Sequence, residues 1–285
     1  MEVNGIWEEF NTECGRFCAG YPEKVREENP LVHLITNYVT VTDCVNALLA
    51  SGAKAICSHA LKEAAQVTKR ANALVCNLGG TEYYDAMDLS AEAALEAKIP
   101  LVIDPVGCAA SSHRLEKCLM LTDKYHPAAI KGNYAEIFAI LDGCSKGSGL
   151  DDAKSMTPAE ESCFKNRMMA FARDNNVILI ASGRTDLCTD GKDLKEVGFG
   201  TPALRRITGA GCMGTSVLAA FLSVSRTLEC AVSSLSFFAL AGEAALKACR
   251  LAGTGAGHFH MYLMDALSAA DPVWKTDSIT EDPFV

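Results

Sequence analysis

Residues 73–77, Ala-Leu-Val-Cys-Asn, and residues 101–104, Leu-Val-Ile-Asp, flank the alanine-rich stretch Ser90–Ala97. Each outer run is apolar without polar/apolar alternation, which is the pattern of a strand covered on both faces. The helical stretch between them is long enough to return the chain to the same edge of the strand layer, so the two runs make a parallel βαβ unit. The same alternation extends outward. Further strands are expected at Leu31–Thr36, Ala53–Ser58, Ala128–Lys131 and Val177–Ser182, and helices at Asp43–Ala50, Lys62–Ala71 and Ala159–Arg173. The reading is an α/β fold of three layers, a mostly parallel central sheet with helices on both faces. Thr185–Val197 reads as a hairpin turning at Asp190-Gly191. Beyond Gly211 the pattern is all helix: Cys212–Ser225, Glu229–Leu251 and His258–Ala270. Residues 1–28 read as a polar, helical opening segment, and Asp142–Thr157 as a polar loop expected to be mobile. With no long linker, residues 1–285 are expected to form a single domain.

The chain carries 35 acidic and 26 basic side chains, a net charge of −9, and 49% hydrophobic residues. That is enough apolar material for a large core. The acidic balance argues against nucleic acid as a partner. No uninterrupted apolar run approaches the roughly 18 residues of a membrane span. The opening residues Met1–Phe10 lack a signal-peptide pattern. The expectation is therefore a cytoplasmic protein with no membrane partner. The 13 cysteines are scattered from Cys14 to Cys249 with no C-x-x-C pair, so neither a disulfide framework nor a zinc site fits. They are expected to be small buried residues, with Cys212 as an exception. The pair His258 and His260 reads as helix-start or surface residues, since no other ligand pattern accompanies it.

The expected strands end on polar residues: Thr36-Asn37, Ser58-His59, Asn77, Asp104-Pro105, Lys131-Gly132-Asn133 and Ser182-Gly183. In open α/β sheets the ligand crevice lies outside the carboxyl ends of the strands, so these tips would converge on one crevice. The most specific local feature is Ile207-Thr-Gly-Ala-Gly-Cys-Met-Gly214, leading into an apolar helix. Glycines there bring backbone N–H groups close to a ligand, and a helix N-terminus favours an anion such as phosphate. Gly209, Gly211 and Gly214 match G-x-G-x-x-G, but they come late in the chain and two long helices follow, which is the wrong context for a dinucleotide site. No Walker A sequence is present. Cys212, in the first helical turn, is expected to be acidified below the ordinary thiol value of about 8.5. It would act as a base or a soft polar contact, or alternatively be a small residue chosen for fit. Asp104 and Glu136, at neighbouring strand ends, could hold Mg²⁺ that bridges nucleotide phosphates. For Glu136 the alternative is a capping box with Asn133.

Four segments taken together resemble the hydroxyethylthiazole kinases: Pro30-Leu-Val-His-Leu-Ile-Thr-Asn-Tyr38, Asp104-Pro-Val-Gly107, Lys131-Gly-Asn-Tyr-Ala-Glu136 and Thr208-Gly-Ala-Gly-Cys212. Their order and spacing agree as well, over residues 29–270. The wider ribokinase-like superfamily carries aspartate after its G-A-G turn, where the thiazole kinases and this chain have cysteine. The resemblance implies a ribokinase-like fold and transfer of the ATP γ-phosphoryl group to the primary alcohol of 4-methyl-5-(2-hydroxyethyl)thiazole, a thiamine salvage step. It also implies Mg²⁺ and a homotrimer with substrate sites near subunit interfaces. On this basis Asn37, Cys57 and Gly209 would lie at the thiazole, Lys131 and Ser182 at ATP, and Asp104 with Glu136 at the metal. Gly209, Ala210, Gly211 and Cys212 would form the catalytic anion hole, with Cys212 near the attacking hydroxyl.

The chain departs from the family pattern at several of these places. Cys57 stands where methionine is usual, Lys131 where arginine is usual, and Arg184 where an acidic residue is usual. The turn Gly79-Gly80-Thr81-Glu82 also differs. These changes fall on nucleotide and substrate contacts and spare the phosphoryl-transfer residues. The competing readings are a related kinase acting on a hydroxymethylpyrimidine or sugar alcohol, a non-catalytic relative that only binds, and a thiol-redox or metal protein.

Overall fold

A computed structural model describes residues 3–145 and 156–271 of the chain. Eight strands form one sheet: β1 Leu31–Ile35, β2 Lys54–Cys57, β3 Ala73–Asn77, β4 Leu101–Asp104, β5 Ala129–Asn133, β6 Ile178–Ser182, β7 Asp186–Thr189 and β8 Leu194–Val197. Their spatial order is β2-β1-β3-β4-β5-β6-β7-β8. The six strands from β2 to β6 pair in parallel, and the β7–β8 hairpin adds antiparallel to β6. The chain runs from β1 outward to β2 and then back across β1 to β3. The strand order therefore reverses at β1/β3, the place where open α/β sheets leave a crevice.

Eleven helices lie among the described residues. α3 Val41–Ala50, α4 Ala64–Thr68, α5 Tyr84–Ala97, α6 Ser112–Tyr125, α7 Tyr134–Asp142 and α8 Pro158–Asn175 connect the strands. α1 Val3–Phe17 and α2 Tyr21–Glu28 precede the sheet, and α9 Ala210–Val224, α10 Leu228–Ala252 and α11 Ala256–Ser268 follow it. Alternation along β3 divides the core in two. Ala73 and Val75 pack with α1, α2, α3, α9, α10 and α11 on one face, while Leu74 and Cys76 pack with α5 to α8 on the other. This is the three-layer arrangement expected from strands apolar on both faces.

The opening segment is less polar in effect than its composition suggests. Ile6, Phe10 and Cys14 recur every four residues along α1, and with Cys18 they are buried in the first core. The Ser233 hydroxyl of α10 donates to the Cys18 carbonyl at 2.7 Å. α10 is long and apolar enough to cross a membrane by length and composition, yet 78% of its apolar window is buried inside the protein. α4 is shorter than the stretch expected at Lys62–Ala71. Most of the loop expected at Asp142–Thr157 lies outside the described residues. Of the 13 cysteines, all free, nine are buried. His33 is satisfied in the interior, with Nδ1 2.8 Å from the Thr68 hydroxyl and Nε2 2.9 Å from the Ser58 carbonyl.

Candidate active site

Asn37 follows β1 and Asn77 ends β3, so the two amides meet at the reversal of strand order. Asn37 Nδ2 donates to Asn77 Oδ1 at 3.1 Å. Asn37 Oδ1 in turn accepts from the Val39 and Thr40 N–H groups, at 3.0 and 3.2 Å, which shapes the entry into α3. Asn77 Nδ2 reaches the other way, donating to Asp104 Oδ2 at 2.7 Å and to Cys212 Sγ at 3.1 Å. One buried amide thus joins the tips of β1, β3 and β4 to the first turn of α9. Parallel register sets this up, because Asn77 pairs with Asp104 across β3 and β4.

The glycine turn is built as expected. Gly209 caps α9 with φ +80°, a left-handed conformation that favours glycine. A Cβ there would also stand 2.8 Å from the Thr40 methyl. The first intrahelical bond runs from Met213 N–H to the Gly209 carbonyl. The N–H groups of Ala210, Gly211 and Cys212 precede it and have no partner within the helix. A Cβ on Gly211 would meet nothing within 4 Å, so the turn faces open space. Beneath it the buried Lys131 ammonium of β5 donates to the Gly211 carbonyl at 3.2 Å. A cation and a helix N-terminus are therefore stacked on one spot, which is an arrangement for a phosphoryl group.

The two proposed metal carboxylates are both buried. Burial pushes the Asp104 carboxyl up, and the Lys131 charge with hydrogen bonds from Cys212 and Asn77 opposes the rise. Burial, reinforced by the negative charge of Asp104, pushes Glu136 up to about 7. Glu136 also completes the capping box: its Oε2 accepts from Asn133 N–H at 2.9 Å while Asn133 Oδ1 accepts from Glu136 N–H at 2.9 Å. Its Oε1 accepts from Gly107 N–H at 2.9 Å, tying the loop after β4 to α7. A side chain on Gly132 would clash with Pro105 at 2.8 Å and press on Glu136 Oε2 at 3.0 Å, so glycine permits this approach. The capping role and closeness to Asp104 hold together. Two buried carboxylates, one of which raises the other, suit a hard divalent cation.

The expected acidity of Cys212 is overturned. Its thiol is pushed above the ordinary value, first by burial and then by the Asp104 charge. The α9 dipole acts on it, but a neighbouring full charge in a dry setting outweighs half a charge at a helix end. Cys212 is a protonated thiol that donates to Asp104.

The outer candidates stand apart from this cluster. Cys57 ends the edge strand β2 and is exposed. Ser182 ends β6 opposite Asn133, and its Oγ is buried without a hydrogen-bond partner. A buried hydroxyl left unpaired is costly unless something else satisfies it. Sequence reasoning gave Asn77 no role beyond a strand tip, although it joins more of the site than any other side chain. It also passed over Asp186, whose Oδ1 accepts from Gly183 N–H at 2.9 Å. Burial raises the Asp186 carboxyl against the pull of the Lys131 charge. The only signal for Asn77 was a polar residue closing a fully buried strand.

A model of the hydroxyethylthiazole kinase family matches residues 23–272. Hydroxyethylthiazole kinase 1 of Methanosphaera stadtmanae is 37% identical, over 86% of this chain and 90% of that one. The hydroxyethylthiazole kinase of Thermoanaerobacter pseudethanolicus is 39% identical, over 81% of this chain and 87% of the relative. Among solved structures, hydroxyethylthiazole kinase from Pyrococcus horikoshii superposes with a TM-score of 0.78 at 32% identity, covering 92% of this chain and 96% of that one. A Bacillus subtilis pyridoxal kinase bound to ADP shares the fold, with a TM-score of 0.53 at 15% identity over 73% of this chain and 89% of that one. The ordered tips, the glycine turn and these likenesses agree, and the chain belongs to the hydroxyethylthiazole kinase family.

Proposed function

We propose that this protein transfers the γ-phosphoryl group of ATP to the primary hydroxyl of 4-methyl-5-(2-hydroxyethyl)thiazole, as a single cytoplasmic kinase domain in thiamine salvage. The observation that carries the reading is the Gly209–Cys212 turn, with Lys131 beneath it and the Asn77–Asp104–Cys212 cluster at its side. Phosphoryl transfer asks mainly for positioning and for neutralisation of charge on the transferring group. The N–H groups of Ala210, Gly211 and Cys212 would receive that charge. Lys131 adds a positive charge at the same place, and the unpaired Ser182 hydroxyl would turn to the nucleotide.

Asn37 and Gly209 would bound the thiazole, with Cys57 at its outer side. Cys212 orients the attacking hydroxyl as a protonated thiol, and it does not serve as a thiolate base. The hydroxyl proton has Asp104 as its nearest carboxylate acceptor through that thiol. Asp104 and Glu136 would hold Mg²⁺, which when bound neutralises phosphate charge. Mg²⁺ commonly keeps several waters and phosphate oxygens in its shell and needs only one or two carboxylates from the protein. Ile56 on the edge strand β2 and Leu61 just beyond it are exposed, as are Tyr38 and Val39 between β1 and α3. Such a run of apolar side chains at an open strand supports burial against another copy in a homotrimer.

The exposure of Cys57 favours one second reading, a related kinase with a different small alcohol. Incubation with ATP, Mg²⁺ and a panel of thiazole, pyrimidine and sugar alcohols, read by mass spectrometry, separates the two. Phosphorylated hydroxyethylthiazole is the expected product. A product from pyrimidine or sugar alcohols alone would overturn the thiazole assignment, and bound thiazole without turnover would overturn the kinase.

A further inference from the structure

Asp43 and His260 have no part in the roles above, yet they stand against the glycine turn. Asp43 lies in the first turn of α3, where a helix dipole favours a carboxylate. Its Oδ1 is 3.1 Å from Nε2 of His260 on α11. Its Oδ2 comes within 4.0 Å of the point a Cβ on Gly209 would occupy. The side chains are 26% and 32% exposed, so the pair is partly shielded from water. Two helix N-termini, those of α3 and α9, therefore converge on one carboxylate. The end of α9 is also where nucleotide phosphate has to bind, and an unrestrained carboxylate beside it would either repel that phosphate or take its place on the free N–H groups.

We propose that His260 is a positioning residue that, through its ring nitrogen 3.1 Å from Oδ1, holds Asp43 on the α3 side and keeps the α9 N-terminus free for nucleotide phosphate. The inference rests on the kinase reading, and it concerns this chain's own pair. Thr40 completes the brace: its methyl fills the space against Gly209 while its backbone N–H bonds Asn37. Movement of Asp43 would therefore be felt by both the cap of α9 and the amide chain of the site.

The test uses the full-length protein and four variants: His260→Ala, His260→Lys, Asp43→Asn and the double variant Asp43→Asn/His260→Ala. A unit charge released close to the phosphate site is worth roughly a 5-fold change. His260→Ala is expected to raise the KM for ATP, and to weaken calorimetric binding of Mg²⁺ and adenylyl imidodiphosphate, by about that factor, with little change in the KM of the alcohol. His260→Lys, which keeps a nitrogen donor facing Asp43, should stay near wild type. Asp43→Asn should bind nucleotide at least as well as wild type. The double variant should return to within about 2-fold of wild type, because removing the carboxylate removes the need for its partner. A purely structural role would leave the double variant as impaired as His260→Ala, and that result overturns the proposal. Unchanged nucleotide affinity in His260→Ala overturns it as well. Failure of wild type to phosphorylate any alcohol would sink the kinase reading instead, while the calorimetric arm still decides between His260 and Asp43.

Discussion

The centre of the strand-tip row and its flanks are built on different principles. At the centre, Asn37, Asn77, Asp104, Cys212 and Lys131 are bonded to one another or to the backbone, with distances from 2.7 to 3.2 Å. At the flanks, Cys57 lies exposed on the edge strand and Ser182 holds a buried hydroxyl with nothing to bond. The central groups are ordered by the fold itself, so they are ready before any ligand arrives, which is what charge stabilisation in a transition state requires. On the proposed reading the flanks are left for a ligand to complete, with reaction chemistry in the middle of the sheet and substrate choice at its margins.

The strongest way to break this contrast is at Asp104. Asp104→Asn should lower kcat by about 10³-fold with the fold retained by circular dichroism, whereas Cys212→Ala should cost only about 10-fold, since the thiol orients and does not ionise. If the two losses were equal, or Cys212→Ala the larger, the thiol would regain a chemical role. A second effect is on stability. The Glu136 carboxyl titrates near 7 in the fold against an ordinary value of 4.5, so the native state holds its proton more tightly than the unfolded chain. Its contribution is full below pH 4.5 and is lost as pH rises through 7, by about 3 kcal/mol at most. The nucleotide-free protein should melt at lower temperature at pH 8 than at pH 6, and Glu136→Gln should flatten that slope. Identical slopes would detach Glu136 from the charged centre. The smallest effect belongs to the margin. Cys57→Met should shift the KM of the thiazole alcohol by no more than about 5-fold and leave kcat alone; a tenfold fall in kcat would move Cys57 into the centre.

Most of the fold was legible because strands buried on both faces leave continuous apolar runs. β3 and β4 occupy the residues expected of them, and the Asp190-Gly191 hairpin forms where its turn residues stand. The opening segment was harder, because the buried stripe of α1 is narrow, Ile6, Phe10 and Cys14 with Trp7 beside them, and most other positions are polar or glycine. Of the site, Asp104, Lys131 and the Gly209–Cys212 turn were readable as polar or glycine residues that interrupt apolar context. Asn77 was not, since an amide closing a strand has no ionic or motif signature and its importance comes from three side chains, Asn37, Asp104 and Cys212, brought to it by the tertiary fold. The thiol of Cys212 was misread for a related reason. Local sequence shows the helix end, but the opposing carboxylate arrives from more than 100 residues away.

That separation governs when the site can exist during synthesis. Asn77 and Cys212 are 135 positions apart, and their contact closes only after every strand of the parallel sheet has been made. Contacts of such long range form late in folding, because the entropy of closing the intervening chain must first be met. A nascent chain ending before α9 can lay down its strands, yet it has no anion cradle and no partner for Asn77. On the proposed reading, nucleotide binding is thereby deferred until α9 has been made.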